Sequence, residues 1–346
     1  NSAVSTPAST ITLSAGGSGG TVTQGVSGSL SATNLALLGG NVTLEHSANA
    51  VSTLAASGVT ALTYADSNAL TIGTVGATTG ITATGPVRIE TLSGDLTVAQ
   101  NIATTNTGAS ALILNAGKAT AAGTMTGGNL LLSGAPTLTI GSGGRATLYS
   151  GSISSSTGLT GLGGSGSGRF RYKADESTAN DTLALGSGLH GIYRENPTVN
   201  VAVENKTMTY GNALPTWTYT TSGMVNGDQV AQAFASPSVS VGGATSTSGS
   251  YTAGSHTLTA SGMTSSQLGY AVGTLTTGTM TVNTKAATLS GLTAANKVYD
   301  GTTSATVAHS GATFTGLVTG DTVTASGTTG TFATKQVGTG KTVRSA

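Results

Sequence analysis

Between Leu35 and Leu148 the chain keeps returning to one three-residue pattern, apolar–X–apolar, often with Thr in the middle. It reads LAL at Leu35, VTL at Val42, LTY at Leu62, LTI at Leu70, ITA at Ile81 and VRI at Val87. LTV at Leu96, LIL at Leu112, LLL at Leu130, LTI at Leu138 and ATL at Ala146 follow. In an extended strand residues i and i+2 share a face, so each triplet aims two apolar side chains at one side. Gly, Asn and Ser fill the gaps, as turns require. A strand this short is not stable alone, but it is when stacked on copies of itself. The pattern predicts a parallel β-helix (solenoid) over residues 1–196, with coils of roughly 16–20 residues, about eight coils, and a rod of about 40 Å. A β-sandwich of the same short strands is the rival arrangement. Asn34, Asn41, Asn68, Asn115 and Asn129 are candidates for side-chain ladders at the corners.

Composition narrows the possibilities. Charged residues make up 7 % of the chain, 13 basic against 12 acidic, so there is no basic face for nucleic acid and no electrostatic hold on an anionic membrane. There is no cysteine, which rules out disulfides and thiolate chemistry and fits a bacterial protein exported unfolded. No run approaches the roughly 18 apolar residues of a membrane helix, so membrane insertion is not expected. The opening NSAVSTPAST lacks the basic and apolar regions of a signal peptide, so a secreted protein would be represented here by a processed piece. The 37 % of apolar residues are patterned, which opposes disorder. Abundant β-branched residues and frequent turn residues make the whole chain all-β.

The triplets fade after Ile153. Arg169, Arg171 and Lys173 of RFRYK then alternate on one predicted strand face, followed by Asp175 and Glu176. They are read either as a solvated cap on the last coils, around 165–196, or as a docking spot for an anionic glycan. From Pro197 the texture changes to longer alternating strands. Trp217 and Tyr219 are two apart and are expected to seed a core. GMVNGDQV at Gly223 and GLVTGDTV at Gly316 are nearly the same string. Asn226–Gly227 is a strong signal for a tight turn with positive φ, so the repeated GxVxGDxV is read as a strand–turn–strand corner, with Asp228 capping the turn. KVYDG in the second copy parallels MTYG in the first.

These strings carry a resemblance. KTMTYGNALPTWTYTTSGMVNGD resembles the MBG type of bacterial Ig-like repeat; NKVYDGTTSATV, GLVTGD and FATKQVGTGKTV resemble the YDG type. RFRYKADE and GLHGIYRENP resemble the junction at which filamentous-haemagglutinin-like exoproteins of two-partner secretion pass from β-helix to repeats. The resemblance implies a β-helix over 1–196, an MBG-type Ig-like β-sandwich module over 197–285 and a YDG-type module over 286–346. The last module is read as incomplete: either the chain simply ends there or another chain donates the missing strands.

The chemistry-bearing strings do not assemble into a site. GSGSGR precedes FRYK rather than a helix, GTGKT lacks the upstream Gly of a nucleotide loop, and GGSGG matches a nucleophile elbow by chance in so Gly-rich a chain. His46, His190, His256 and His309 have no i+3 or i+4 partner and are read as surface residues. Glu45, Asp66, Glu90 and Asp95 are the solenoid's acids; Glu90 and Asp95 are the pair to watch for glycosidase chemistry. Asp300 and Asp321 are candidates for calcium at a module junction. Asn41, Asn180 and Asn205 begin glycosylation sequons.

No cofactor, metal or catalytic residue is expected. The expected function is a structural or adhesive piece of a large secreted or surface-displayed exoprotein of a Gram-negative bacterium: a stalk, with a part in cell or biofilm-matrix adhesion. The resemblance implies an outer-membrane transporter as partner during export and neighbouring modules of the same protein; glycans or matrix polysaccharide are candidate ligands. A self-associating filament subunit and a polysaccharide-degrading β-helix enzyme are the alternatives.

Overall fold

The computed structural model describes residues 3–234, 237–263 and 266–345. It is all-β, with 44 % strand against 3 % helix. The chain forms two compact units: Asn1–Val201 with Thr221–Ser238 and Ser261–Leu275, and Ala202–Thr220 with Val239–Ala260 and Thr276–Ala346.

In the first unit the chain returns in order to three ladders of parallel strands. One ladder joins Val4–Ser14, Leu30–Leu38, Ala50–Val59, Leu70–Ile72, Leu96–Val98 and Leu130–Leu132. A second continues from the far half of Ala50–Val59 through Ile81–Ala83, Ile102–Thr104 and Leu138–Thr139. The third runs Thr21–Thr23, Asn41–Leu44, Ala61–Asp66, Val87–Thr91, Leu112–Ala116, Arg145–Ser150, Gly188–Tyr193. Early circuits cover the first two ladders with one long strand; later circuits break it in two.

Register keeps like on like. Leu62, Val87 and Leu112 are partners in line, as are Leu70, Leu96 and Leu130, and all six are at most 1 % exposed. A buried Leu or Val side chain contributes about 1.5–3 kcal/mol, so these columns dominate the unit's stability. The circuits are longer than the sequence suggested. Val22 pairs with Val42, but Leu112 pairs with Ala146 and Ala146 with Leu189, so the step grows as excursions are inserted between strands.

One excursion is the hairpin Thr74–Val75 with Thr78–Thr79. It lays Val75 on Ala36 and Ala55, outward-facing residues that become a small second core. Its neck closes where Gly80 N donates to Gly73 O at 2.9 Å. Gly80 has φ +65°, and a Cβ there would lie 2.2 Å from Asn101 O.

The corner asparagines do not form ladders. Asn34 Nδ2 donates to Thr10 Oγ1, Asn115 Nδ2 to Glu176 and Asn129 Nδ2 to Asp95, because circuits of unequal length put different residue types at successive corners. Asn49 does the corner work instead. Fully buried, it accepts from Leu30 N at 2.9 Å and donates to Leu44 O and Ala65 O.

The stack ends out of sequence order. Phe170–Tyr172 is the outermost strand of the third ladder, and the later Gly188–Tyr193 lies between it and Arg145–Ser150. Thr198–Val203, flanked by Tyr219–Ser222 and Ala271–Thr276, forms a three-stranded sheet.

The second unit holds a mixed sheet ordered Lys206–Thr209, Gly278–Asn283, Gly254–Ser261, Ser238–Val241, its first pair parallel and its second antiparallel. Met208, Leu258, Ala260, Met280 and Val282 are among its buried residues. Trp217 and Tyr219 are only half-buried, so the expected aromatic core is an aliphatic and methionine core instead. Beyond residue 286, a short antiparallel sheet joins Thr293–Ala294, Ser304–Ala308, Thr329–Phe332 and Val343–Ser345. Ala305 and Val307 are the buried apolar residues among those described there.

Candidate functional site

The basic triplet at the end of the stack is not one cationic face. Arg171 is 1 % exposed; its guanidinium donates to the carbonyls of Gly168, Phe170 and Leu183 and pairs with Asp181 at 3.3 Å. Arg169 donates to Ser187 O at 3.0 Å. Lys173 is exposed with φ 51°. The strand is only Phe170–Tyr172 long, so alternation past it fails. Arg171 is held by the returning segment 173–187, which lies over the outward side of the third ladder.

That segment also organises the acids. Glu90 is 1 % exposed and paired with Arg88 and Lys118, while Arg88 also pairs with Glu176. Glu176 is held below its usual range: burial opposes this, but the Arg88 guanidinium outweighs it. Asp95 accepts from Asn129 N at 2.8 Å. Glu90 and Asp95 are therefore each occupied by structural partners. Asp66 is buried and accepts from Val51 N and from the Tyr64 hydroxyl, both at 2.8 Å; Glu45 is exposed.

Two histidines differ from the surface reading. His190 is 5 % and His256 4 % exposed. His190 sits lower than an ordinary imidazole because of burial, with the charges of Arg169 and Arg171 acting the same way. His256 Nε2 lies 2.7 Å from Thr252 O, and its ring meets Tyr251 edge-on. Among the described residues no group of three or more His, Asp or Glu side chains is placed to hold a metal ion. Asp300 pairs with Lys297 at 2.6 Å and accepts from Thr302 N, a local turn. Of the sequon asparagines, Asn41 is exposed, Asn180 Nδ2 donates to Gly269 O and Asn205 accepts from Thr279 N.

Sequence reading missed Arg194. It is 1 % exposed and donates to Ala116 O at 2.6 Å and Gly128 O at 2.7 Å, holding both ends of the loop 117–129 against the stack. A lone Arg after a strand gives no signal of that role.

The two Gly–Asp strings are where side chains from separate segments converge. In the first, Asp228 N donates to Val225 O at 3.0 Å, and Asn226 and Gly227 have φ 52° and 73°, the left-handed pair the sequence demands. The flanks differ from the expected hairpin, because the short helix Val230–Ala233 follows the turn. The turn points back at the end of the stack. Gly166 N donates to Asn226 O at 2.9 Å, and Thr160 Oγ1 to Asn226 Oδ1 at 2.6 Å. A Cβ on Gly227 would lie 2.1 Å from Ser165 Oγ. Asp228 Oδ2 accepts the Tyr172 hydroxyl at 2.7 Å and the Tyr270 hydroxyl at 2.9 Å. Tyr172 in turn stacks on Tyr193, ring centroids 5.9 Å apart. Asp228 is 4 % exposed; burial pushes its carboxyl up, and the two hydroxyls and Arg171 pull it back.

The second string repeats the arrangement. Asp321 N donates to Val318 O at 3.0 Å and Gly320 has φ +96°. The Tyr210 hydroxyl donates to Asp321 Oδ2 and lies 2.7 Å from Ser246 Oγ. Thr247 Oγ1 donates to Gly320 O. Val318 packs so close to Gly211 that a Cβ there would be 2.2 Å from Val318 Cγ2. Asp321 is half-buried and held below its usual range, chiefly by the Tyr210 hydrogen bond, with Ser248 and Ser246 adding to it. In both places a Gly–Asp turn reaches back to a tyrosine that precedes it in the chain. The arrangement fastens separate segments of the chain to one another.

Residues 199–281 match the family model of the MBG domain (YGX type), and residues 283–346 that of the YDG domain. Both are bacterial adhesin-like repeat domains. Neither a curated protein nor a solved structure matches the chain.

Proposed function

We propose that this chain is a stalk segment of an extracellular bacterial adhesin-type protein. In this reading the three parallel ladders are a solenoid, and the MBG and YDG domains are Ig-like modules strung after it. The observation that carries the proposal is the unbroken succession of the two repeat-domain matches after a stack of parallel strands. Repeat proteins bury their core between neighbouring units, so such a chain gains length without needing a new core. Its polar interior supports the same reading, since Asn49, Arg171, Arg194 and Asp228 each hold backbone or neighbouring segments. We place it on the outer surface of a Gram-negative cell, delivered by two-partner secretion, as the junction strings suggest.

Pulling the full chain by its ends in a force spectrometer tests this. A stalk yields in discrete steps as stacked circuits and modules release in turn, up to about 3.3–3.6 Å of contour per residue. Featureless extension at low force overturns the proposal. An array of neutral and anionic polysaccharides gives no signal for a spacer; saturable binding moves the reading to an adhesive tip. Release of reducing or unsaturated ends from the same panel would replace both with an enzyme.

A further inference from the structure

Two tyrosines that precede a Gly–Asp turn in the chain receive its aspartate, and Tyr299 stands in a string like one of theirs. Tyr172 receives Asp228, and Tyr210 receives Asp321. Tyr299 is the counterpart of Tyr210: each follows a Lys-led segment and precedes a left-handed glycine, Gly211 at φ +77° and Gly301 at +76°. Tyr299 is 62 % exposed and the adjoining Val298 89 %.

The setting of Tyr299 also matches the filled site. Asp321 sits between Tyr210 and the loop that carries Ser246 and Ser248. That loop opens with Ala244–Thr245 and closes where Thr252 N donates to Ala244 O. Ala333–Thr334 opens the corresponding loop, which closes where Ala333 N donates to Thr342 O. Tyr299 and this second loop line a cavity of about 510 Å³, together with Lys297, Lys335 and Lys341. Lys297 is spent on Asp300, and Lys341 on the carbonyls of Thr334 and Gln336. Lys335 is exposed and has no partner among the described residues.

We infer that Tyr299 and Lys335 form an open clasp for the Gly–Asp turn of a further repeat module. Its aspartate would accept the Tyr299 hydroxyl, as Asp321 accepts that of Tyr210, and the cationic Lys335 would stand where the filled site has neutral serines. A charge-assisted contact of this kind is stronger than a neutral one. The occupant must bring a free turn; in this chain both turns are already engaged, so a second copy does not supply it. The inference rests on the modules-in-series reading and adds the rule by which one module selects the next.

The test uses the full chain with its nine tyrosines isotope-labelled at the ring, titrated with a cyclised peptide GLVTGDTV. The expected result is a saturable Tyr299 shift with a Kd of about a millimolar, as fits so small a ligand. It should weaken at least about tenfold when the peptide's Asp becomes Asn, and vanish in Tyr299→Phe. Lys335→Ala should weaken it several-fold. The Asp321→Ala chain frees Tyr210, which should then respond to the same peptide and shows that the peptide holds its turn. No response at Tyr299 overturns the clasp, whether or not Tyr210 responds. An Asn peptide that works equally well also overturns it and points to strand addition. Either failure leaves the force and glycan results standing.

Discussion

The two Gly–Asp turns share an Asp N–H to Val carbonyl closure and a left-handed glycine, and differ in their surroundings. Around Asp228 the acceptor is sealed by Tyr172, Tyr193 and Tyr270, and burial raises the carboxyl. Around Asp321 solvent still reaches, and the Tyr210 hydroxyl lowers it. The same motif thus makes a sealed joint at the end of the parallel ladders and a more open one within the second unit. The packing behind the tyrosine sets that difference.

The largest expected effect comes from removing that packing. Tyr172→Ala takes a fully buried ring out of the first joint and should cost about 3–5 kcal/mol in urea denaturation. The corresponding Tyr210→Ala should leave the first unit's midpoint unmoved. Tyr172→Phe keeps the ring and removes the hydroxyl, which strands the Asn226 Nδ2 donor as well as one acceptor bond to Asp228. It should cost about 1–3 kcal/mol. Tyr210→Phe, at a half-buried site, should only speed amide exchange several-fold around residues 316–323, read by mass spectrometry.

Acid separates the joints by sign. Asp321 is depressed in the fold, so its contribution is present above the unfolded carboxylate value, about 3.9, and is lost as pH falls through its lower folded value. Asp228 is raised, so the fold disfavours its ion, and its contribution improves as pH falls through the folded value. Exchange measured from pH 6 to pH 2 should show residues 316–323 loosening while 225–228 hold. Simultaneous loosening would mean that the two carboxylates do not differ as described.

Much of this was legible in the chain. Nine of the eleven triplets place both apolar ends in buried positions, because a period of two needs no distant information. The Asn226–Gly227 turn was legible for a similar local reason. What lay hidden was long-range. Arg171 looked like one of three exposed cations until the segment from 173 to 187 returned over it. Glu90 and Asp95 looked like a reactive pair, and their partners Lys118 and Asn129 arrive from later circuits. The corner asparagines presupposed circuits of equal length, and excursions such as the hairpin at 74–79 break that equality. The partners of Asp228 and Asp321 lie 56 and 111 residues away, beyond the reach of any local rule.

The transposed pair of strands at the end of the stack has a consequence for order of arrival. A chain emerging from its amino end can zip each strand onto the last, up to Arg145–Ser150. Phe170–Tyr172 then finds no berth, because its ladder partner, Gly188–Tyr193, is still to come. Threading must pause until that later strand slides into the gap, which leaves Phe170–Tyr172, the earlier strand, at the outer edge of the ladder. Growth by simple addition therefore stops where the chain begins to build modules.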